Sequence, residues 1–398
     1  MPEEVNAQSR YAQLEIHRDP FLRRARECSE LTIPTLIPPD GHSGSTDYPT
    51  PFQSIGARAV NNLAAKMLMA LLPPNSPFFR LVVDDFDLTM LQGEGQRGEV
   101  EEALARIERS IISEIEILNL RVPCYEALKF LLVSGNVLVH IPPEGGMRVF
   151  PLDRYVVQRD AMGNVLEIIT KETIAPVMLD PETRALVGDA EDGPGSPDNE
   201  IDLYTYIYLD NDQQWLVRQE VQGIVVPESM GMYPIGKLPW LALRFDRIES
   251  ESFGRGLVEQ YLGDLKSLEG LTRAVVEGSA AASKVLFMVR PNSTTKPRLI
   301  AKTGNGGIIQ GDINDVGVLQ LNKFNDFRVA LEMSRSITER LSYAFLLNSA
   351  VQRDAERVTA FEINLLASEL EQSLGGVYSL LSSEFQLPLV GILLQRME

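Results

Sequence analysis

The sequence is short of the residues that staple or metallate small folds. It has two cysteines, Cys28 and Cys124, in 398 residues, too few for a disulfide framework. Both are expected to be buried, small and apolar, in a reducing compartment. Its three histidines, His17, His42 and His140, stand at no ligand spacing, and no CxxC occurs. No metal and no cofactor are therefore expected. The opening residues, MPEEVNAQSR, are polar and acidic, so no secretory leader is expected. Dense apolar patches such as Met67 to Leu72 are too short to cross a bilayer, which predicts a soluble chain with no membrane partner. Positive charge is also scarce: 37 Lys and Arg against 55 Asp and Glu give a net charge of −18. An acidic surface argues against wrapping DNA, because phosphate contacts need Lys and Arg. It does not argue against a conduit, where a repulsive wall lets DNA pass without sticking.

Catalytic patterns are missing too. Gly304-Asn305-Gly306-Gly307 follows Lys302 instead of preceding it, and leads into Ile308-Ile309. A tight hairpin turn fits better than a phosphate loop. The acidic pairs Asp84-Asp85, Glu101-Glu102 and Glu191-Asp192 stand beside no nucleophile or histidine and read as solvated charge. No G-x-S-x-G occurs, and His140 sits in an apolar strand, as a core or subunit-contact histidine would. The chain reads as a non-enzyme, with an acidic hydrolase carrying a helical appendage as the alternative.

What is present is length enough for two or more domains and ample apolar material, 44% of residues, for burial to drive folding. Helical spacing marks the first segment to Ser29. It marks a second helix after Ser54 through Ile55, Ala59, Leu63, Met67 and Leu71, which Pro73-Pro74 stops. Phe78 to Phe86 reads as a short strand. Glu99 to Asn119 and Pro123 to Leu132 read as helices, with Gly135 breaking the second before a strand from Asn136 to Ile141. From Met147 to Arg244 short β-rich runs alternate with turn signals, which predicts an antiparallel β module. The runs are 148–151, 165–173, 201–209, 215–221, 224–226 and 240–245. After Gly256 the chain turns helical to Ser283. Strand-like pieces follow at 285–289, 299–301, 308–309 and 316–321. Two helices complete the chain, at 325–347 and 359–385.

Two features of this second half stand out. Lys284, Arg290, Lys296, Arg298 and Lys302 fall in a stretch without one acidic residue, a local charge reversal suited to an acidic partner, a phosphate backbone or a neighbouring subunit. Thr359 and Glu362 form a capping box ahead of Ile363, Leu366, Leu370, Leu374, Val377 and Leu381. The loop before it alternates charge.

The order of pieces is a helix with small residues, a basic β insert, a returning helix, a charged loop and a capped helix. It resembles the core of phage portal proteins. The residues Arg353-Asp354-Ala355-Glu356-Arg357-Val358-Thr359-Ala360, Glu362-Ile363, Leu374-Gly375-Gly376-Val377 and Glu384-Phe385-Gln386-Leu387-Pro388 resemble the head-to-tail connector of T-seven-like podoviruses, the autographiviruses. So do Ser252-Phe253-Gly254-Arg255-Gly256 and the helix around Ile55 to Ala64.

The resemblance implies an α+β portal fold, with a helical wing and stem, a β-rich wing module and a small α/β clip. It divides the chain into a wing at 1–251, stem helices at 252–283 and 324–347, the clip at 284–323, a tunnel loop at 348–358 and a long wing helix at 359–398. Connectors of this type continue into a crown, so the resemblance leads one to expect the crown to be missing or truncated in this sequence. The resemblance further implies a homo-oligomeric ring of about twelve subunits, with double-stranded DNA in its channel. Arg353, Asp354, Glu356 and Arg357 would face that DNA. The clip, through Arg290, Lys296, Arg298 and Lys302, would dock the terminase large subunit and later tail adaptor and nozzle proteins. Major capsid protein and internal core proteins would be further partners. The place implied is the head-tail junction of the virion, after assembly in the host cytoplasm.

Overall fold

The computed structural model describes residues 6–74, 77–82, 94–175, 179, 183–184, 200–210, 214–282, 286–291, 296, 298, 302–304, 307–319, 324–347 and 368–397. The chain divides into two compact units, Met1–Thr50 with Ser54–Leu262 and Ser342–Glu398, and Pro51–Gln53 with Gly263–Leu341.

In the first unit, helix α1 (Ala7–Glu30) lies on an antiparallel sheet. The sheet's strands are β3 (Tyr155–Arg159), β4 (Val165–Ile174), β5 (Ile201–Leu209), β6 (Gln214–Val221) and β7 (Ile224–Val225), in that order, with β8 (Gly231–Pro234) also on β6. Alternation on β5 places Tyr204, Tyr206 and Tyr208 on the face that α1 covers with Ala7, Tyr11 and Leu14. Buried charge seats the helix. Arg10 Nε donates to Glu167 at 3.0 Å, Tyr206 donates to the same carboxylate at 2.8 Å, and the Ala7 N–H donates to Glu220 at 2.6 Å. A carboxylate against the first free N–H groups of a helix is favourable.

A second sheet orders β2 (Arg148–Phe150), β1 (Asn136–His140) and β9 (Trp240–Arg244). Val137, Leu138 and Val139 are wholly buried, as expected of a strand covered on both faces. Helix α2 (Ile55–Leu71) packs on α4 (Arg121–Ser134), which packs on β1; α3 (Glu94–Ile117) precedes α4. The predicted antiparallel module divides between the two sheets: the runs at 148–151 and 240–245 pair with β1, while the others form the larger sheet, which adds β3 and β8.

Three expectations are corrected. Residues 77–82 form no strand: the Leu81 N–H goes to the Glu108 side chain at 2.6 Å instead of a ladder partner. Ile308-Ile309 form no strand either, and Ile308 is fully exposed. The helix predicted over 359–385 is helical at 368–374, turns at Gly375-Gly376, and resumes as α8 (Val377–Leu381), a π-turn (Ser382–Gln386) and α9 (Leu387–Met397). The π-turn leaves room for Pro388, whose ring would otherwise press on the carbonyl four residues back.

The helical run therefore continues past Pro388. Among the described residues, Val377–Met397 is long and apolar enough to cross a bilayer. It nevertheless buries Leu381, Phe385, Leu389 and Leu393, and Arg396 donates to the carbonyls of Pro142 and Gly145 at 3.3 and 2.8 Å. One apolar stripe of the run thus packs against the protein, while Leu387 and Met397 stay exposed.

In the second unit, α6 (Leu262–Ala282) and α7 (Phe324–Ala344) flank a two-stranded antiparallel pair, β10 (Leu286–Val289) with β11 (Val316–Leu319). Glu269 on α6 accepts from the Phe52 and Gln53 N–H groups at 3.0 and 3.2 Å. Arg340 on α7 pairs with Asp264 at 2.8 Å. Val329, Leu331 and Met333 stay exposed on α7.

Candidate functional site

The segment Ser252 to Gly256 leads into α5 (Leu257–Gln260) and is locked by backbone-to-backbone contact. Asn136 Nδ2 donates to the Ser134 and Gly254 carbonyls, both at 2.9 Å, and the Gly254 N–H returns a bond to Asn136 Oδ1 at 2.7 Å. Asp246 and Arg255 exchange backbone bonds at 3.2 and 3.0 Å. Gly135 ends α4 in the left-handed region at φ 74°. A Cβ there would lie 2.2 Å from the Arg255 carbonyl carbon, and one on Gly256 would lie 2.7 Å from the Val133 carbonyl oxygen. The glycines let these chain segments touch.

The second feature lies at the far end of α7. Leu346 takes φ +53°, and the last carbonyls of the helix need donors. Two side chains on α2 supply them. Asn62 Nδ2 reaches the Phe345 and Leu346 oxygens at 3.4 and 3.3 Å, and Lys66 Nζ reaches the Leu346 oxygen at 2.6 Å. Burial pushes the Lys66 ammonium below the usual lysine range, and the carboxylate of Glu369 opposes that shift. The other end of α2 is capped in turn. Tyr378 donates to the Ala70 oxygen at 3.3 Å and Gln386 to the Leu71 oxygen at 2.7 Å.

The third is a cluster of arginines. Arg159 donates to the Ser252, Gly163 and Ala242 carbonyls at 3.1, 3.0 and 2.7 Å. Arg244, 2% exposed, reaches the Gly163 carbonyl at 3.4 Å and Glu384 at 3.3 Å, while Arg247 donates to the Met162 carbonyl. Burial, with Arg244 and then Arg247 nearby, pushes Arg159 down to about 10, and Glu384 opposes the shift. Among the described residues, Arg244 Nε and Glu384 Oε2 are buried and meet no hydrogen-bond partner.

The residues singled out from the sequence fare as follows. Arg290, Lys296, Arg298 and Lys302 all lie between β10 and β11 and are all exposed. Among the described residues none of their side chains forms an ion pair. Arg353, Asp354, Glu356 and Arg357 lie outside the described residues, as does Lys284. His140 stacks on Trp240 with ring centroids 3.9 Å apart, and burial, aided by Arg148, pushes it down to about 4. Cys124 is buried and burial pushes its thiol up. Among the described residues no group of three His, Cys, Asp or Glu is placed to hold a metal.

Lys66 and the Arg244–Glu384 pair were missed. Each carried a signal. Lys66 shares the helical face of Leu63, Met67 and Ala70, and Arg244 ends the apolar strand Trp240-Leu241-Ala242-Leu243.

The family described as "Bacteriophage head to tail connecting protein" matches residues 4–398. The portal protein of Escherichia phage T7 is 45% identical over 99% of this chain and 75% of its own length, and that of Enterobacteria phage T3 is 43% identical with the same coverage. Among solved structures, the neck of a native GTA particle computed with C12 symmetry aligns at 14% identity and a TM-score of 0.40, over 86% of this chain and 78% of that one.

Proposed function

This chain belongs to the bacteriophage head-to-tail connecting proteins, the portal proteins of the virion's head-tail junction, and we propose that it closes into a ring of about twelve copies around a DNA channel. The observation that carries the reading is the 45% identity to a portal protein over 99% of the chain. Two physical features support it. Val329, Leu331 and Met333 on α7 are exposed apolar groups that a neighbouring subunit would cover. The net charge of −18 suits a wall along which duplex DNA slides. No observation favours the hydrolase alternative.

In this reading residues 252–283 and 324–347 are the stem, 284–323 the clip and 348–358 the tunnel loop, with Arg353 and Arg357 touching phosphates in passing. Replacing both by glutamate is expected to lower packaged DNA on the order of tenfold or more in a complementation assay. Electron microscopy of the same purified variant should still show rings with a central hole. Wild-type protein that forms no such ring defeats the proposed ring, and a variant that loses its rings defeats the tunnel-loop assignment.

The exposed Arg290, Lys296, Arg298 and Lys302 are proposed to dock acidic surfaces of the terminase large subunit, and later of tail adaptor and nozzle proteins. Reversing all four charges is expected to weaken adaptor capture in a pull-down, most strongly at low salt. Capture that is unchanged at both low and high salt speaks against this role. Contacts with major capsid protein and internal core proteins follow from the same placement at the junction.

A further inference from the structure

Three guanidiniums of the first unit end on one turn. Arg159 and Arg244 both donate to the Gly163 carbonyl, and Arg247 donates to the Met162 carbonyl. A Cβ added to Gly163 would stand 3.0 Å from Arg247 Nη2 and 3.2 Å from Arg244 Nη2, so these charges are neighbours. Buried charge needs counter-charge, and little is supplied. Glu384 meets Arg244 at 3.3 Å, and Asp246 lies between Arg244 and Arg247 in sequence. Three cations against two carboxylates leave a positive excess. The Arg244–Glu384 pair is also closed at one corner only. Arg244 Nη2 meets Glu384 Oε1, while Arg244 Nε and Glu384 Oε2 are buried and meet no partner among the described residues. An unmet donor and an unmet acceptor thus belong to one ion pair.

A water would satisfy both atoms but brings no charge. An oxyanion that carries a hydroxyl does both: one oxygen accepts from the guanidinium, and its O–H donates to the carboxylate. A cavity of about 390 Å³ adjoins the pair, lined by Asp246 and Arg247 and by Gly376, Val377 and Leu380. Leu380 stands one turn before Glu384 on the same helical run. We propose that Arg159, Arg244, Arg247 and Glu384 form a binding site for a protonated oxyanion of the phosphate class, entered from this cavity. Arg247, the exposed member, meets the anion first. Arg244 and Arg159 supply buried charge, and Glu384 selects for a hydroxyl. The site discriminates by chemistry. Phosphate near neutral pH keeps a proton, whereas sulfate and the phosphodiester backbone of DNA have none. The proposal does not depend on the ring.

Isothermal titration calorimetry of the full chain with inorganic phosphate near neutral pH tests it, with sodium chloride holding ionic strength constant. Wild type is expected to bind phosphate saturably and about tenfold more tightly than sulfate, the factor that one hydrogen bond to a charged group supplies. Arg247→Met, at an exposed position, should weaken phosphate about tenfold while far-UV circular dichroism stays that of wild type. Glu384→Gln replaces one acceptor oxygen by an amide N–H, so sulfate should bind more tightly and the preference for phosphate should vanish. If Glu384→Gln does not fold, the sulfate comparison in wild type and Arg247→Met still decide. A short DNA duplex separates the sources of phosphate. A duplex that leaves bound phosphate in place supports a free phosphate or monoester ligand, and one that displaces it overturns the hydroxyl requirement. No saturable binding, equal affinity for sulfate in wild type, or undiminished affinity in Arg247→Met each overturns the site.

Discussion

Gly135→Ala is expected to prevent the protein from reaching its native fold at ordinary temperature. Two costs combine. An alanine in the left-handed region is strained by roughly 1–2 kcal/mol, and Gly135 has φ 74°. The larger cost is contact, because the new Cβ would lie 2.2 Å from the carbonyl carbon of Arg255 and 2.4 Å from the nitrogen of Gly256. Both are backbone atoms, tied down by the Asp246–Arg255 bridge and by the Asn136–Gly254 bonds, so neither can swing aside like a flexible side chain. A total above about 4 kcal/mol is expected, in the range reserved for disrupted cores and networks.

Gly145→Ala separates the two costs. It has φ 90° but open space around it, so it should show the strain alone, about 1–2 kcal/mol. Urea unfolding followed by far-UV circular dichroism makes the comparison. Equal midpoints for the two variants would falsify the idea that the backbone contact at Gly135 is what matters.

Glu384→Leu is expected to cost about 3–5 kcal/mol, the usual penalty for leaving a buried charge without its partner. Arg244 is 2% exposed, and Glu384 is its single carboxylate contact among the described residues, at 3.3 Å. Arg159 and Arg247 stand beside it, and Arg159 is already pushed down to about 10 by burial and by Arg244 and Arg247. Removing the carboxylate leaves three guanidiniums with carbonyls alone.

The site also lies in the π-turn that joins α8 to α9, so the C-terminal helices should detach from β9 first. Glu384→Gln keeps the shape and loses the charge, and should fall between wild type and leucine. The double variant Glu384→Leu with Arg244→Met should recover much of the loss, because replacing a buried pair by apolar groups is often neutral or better. Denaturant midpoints for the four proteins decide it. A single leucine variant within about 0.5 kcal/mol of wild type, the range of ordinary surface changes, removes the argument.

The elements were legible wherever the signal was local. The 3.6-residue spacing of Ile55, Ala59, Leu63, Met67 and Leu71 carried α2, and Gly135 marked the end of α4. The family was legible too, because Ser252 to Gly256 and Arg353 to Pro388 are strings of neighbours in sequence. So was the charge reversal between β10 and β11, whose four described basic residues are all exposed. Failures came where pattern and partner disagree. Phe78 to Phe86 alternates like a strand, but the Leu81 N–H meets the Glu108 carboxylate.

Composition and order thus determined by themselves what kind of protein this is, because burial periodicity and family strings are written along the chain. Tertiary structure alone decided which residues hold it in place. Gly135 meets Gly256, Arg244 meets Glu384, and Lys66 meets Leu346 across separations in sequence that no local period reports. The reason is physical. Periodicity records which side of an element faces a core, while the partner on that core is set only when distant segments have been packed together.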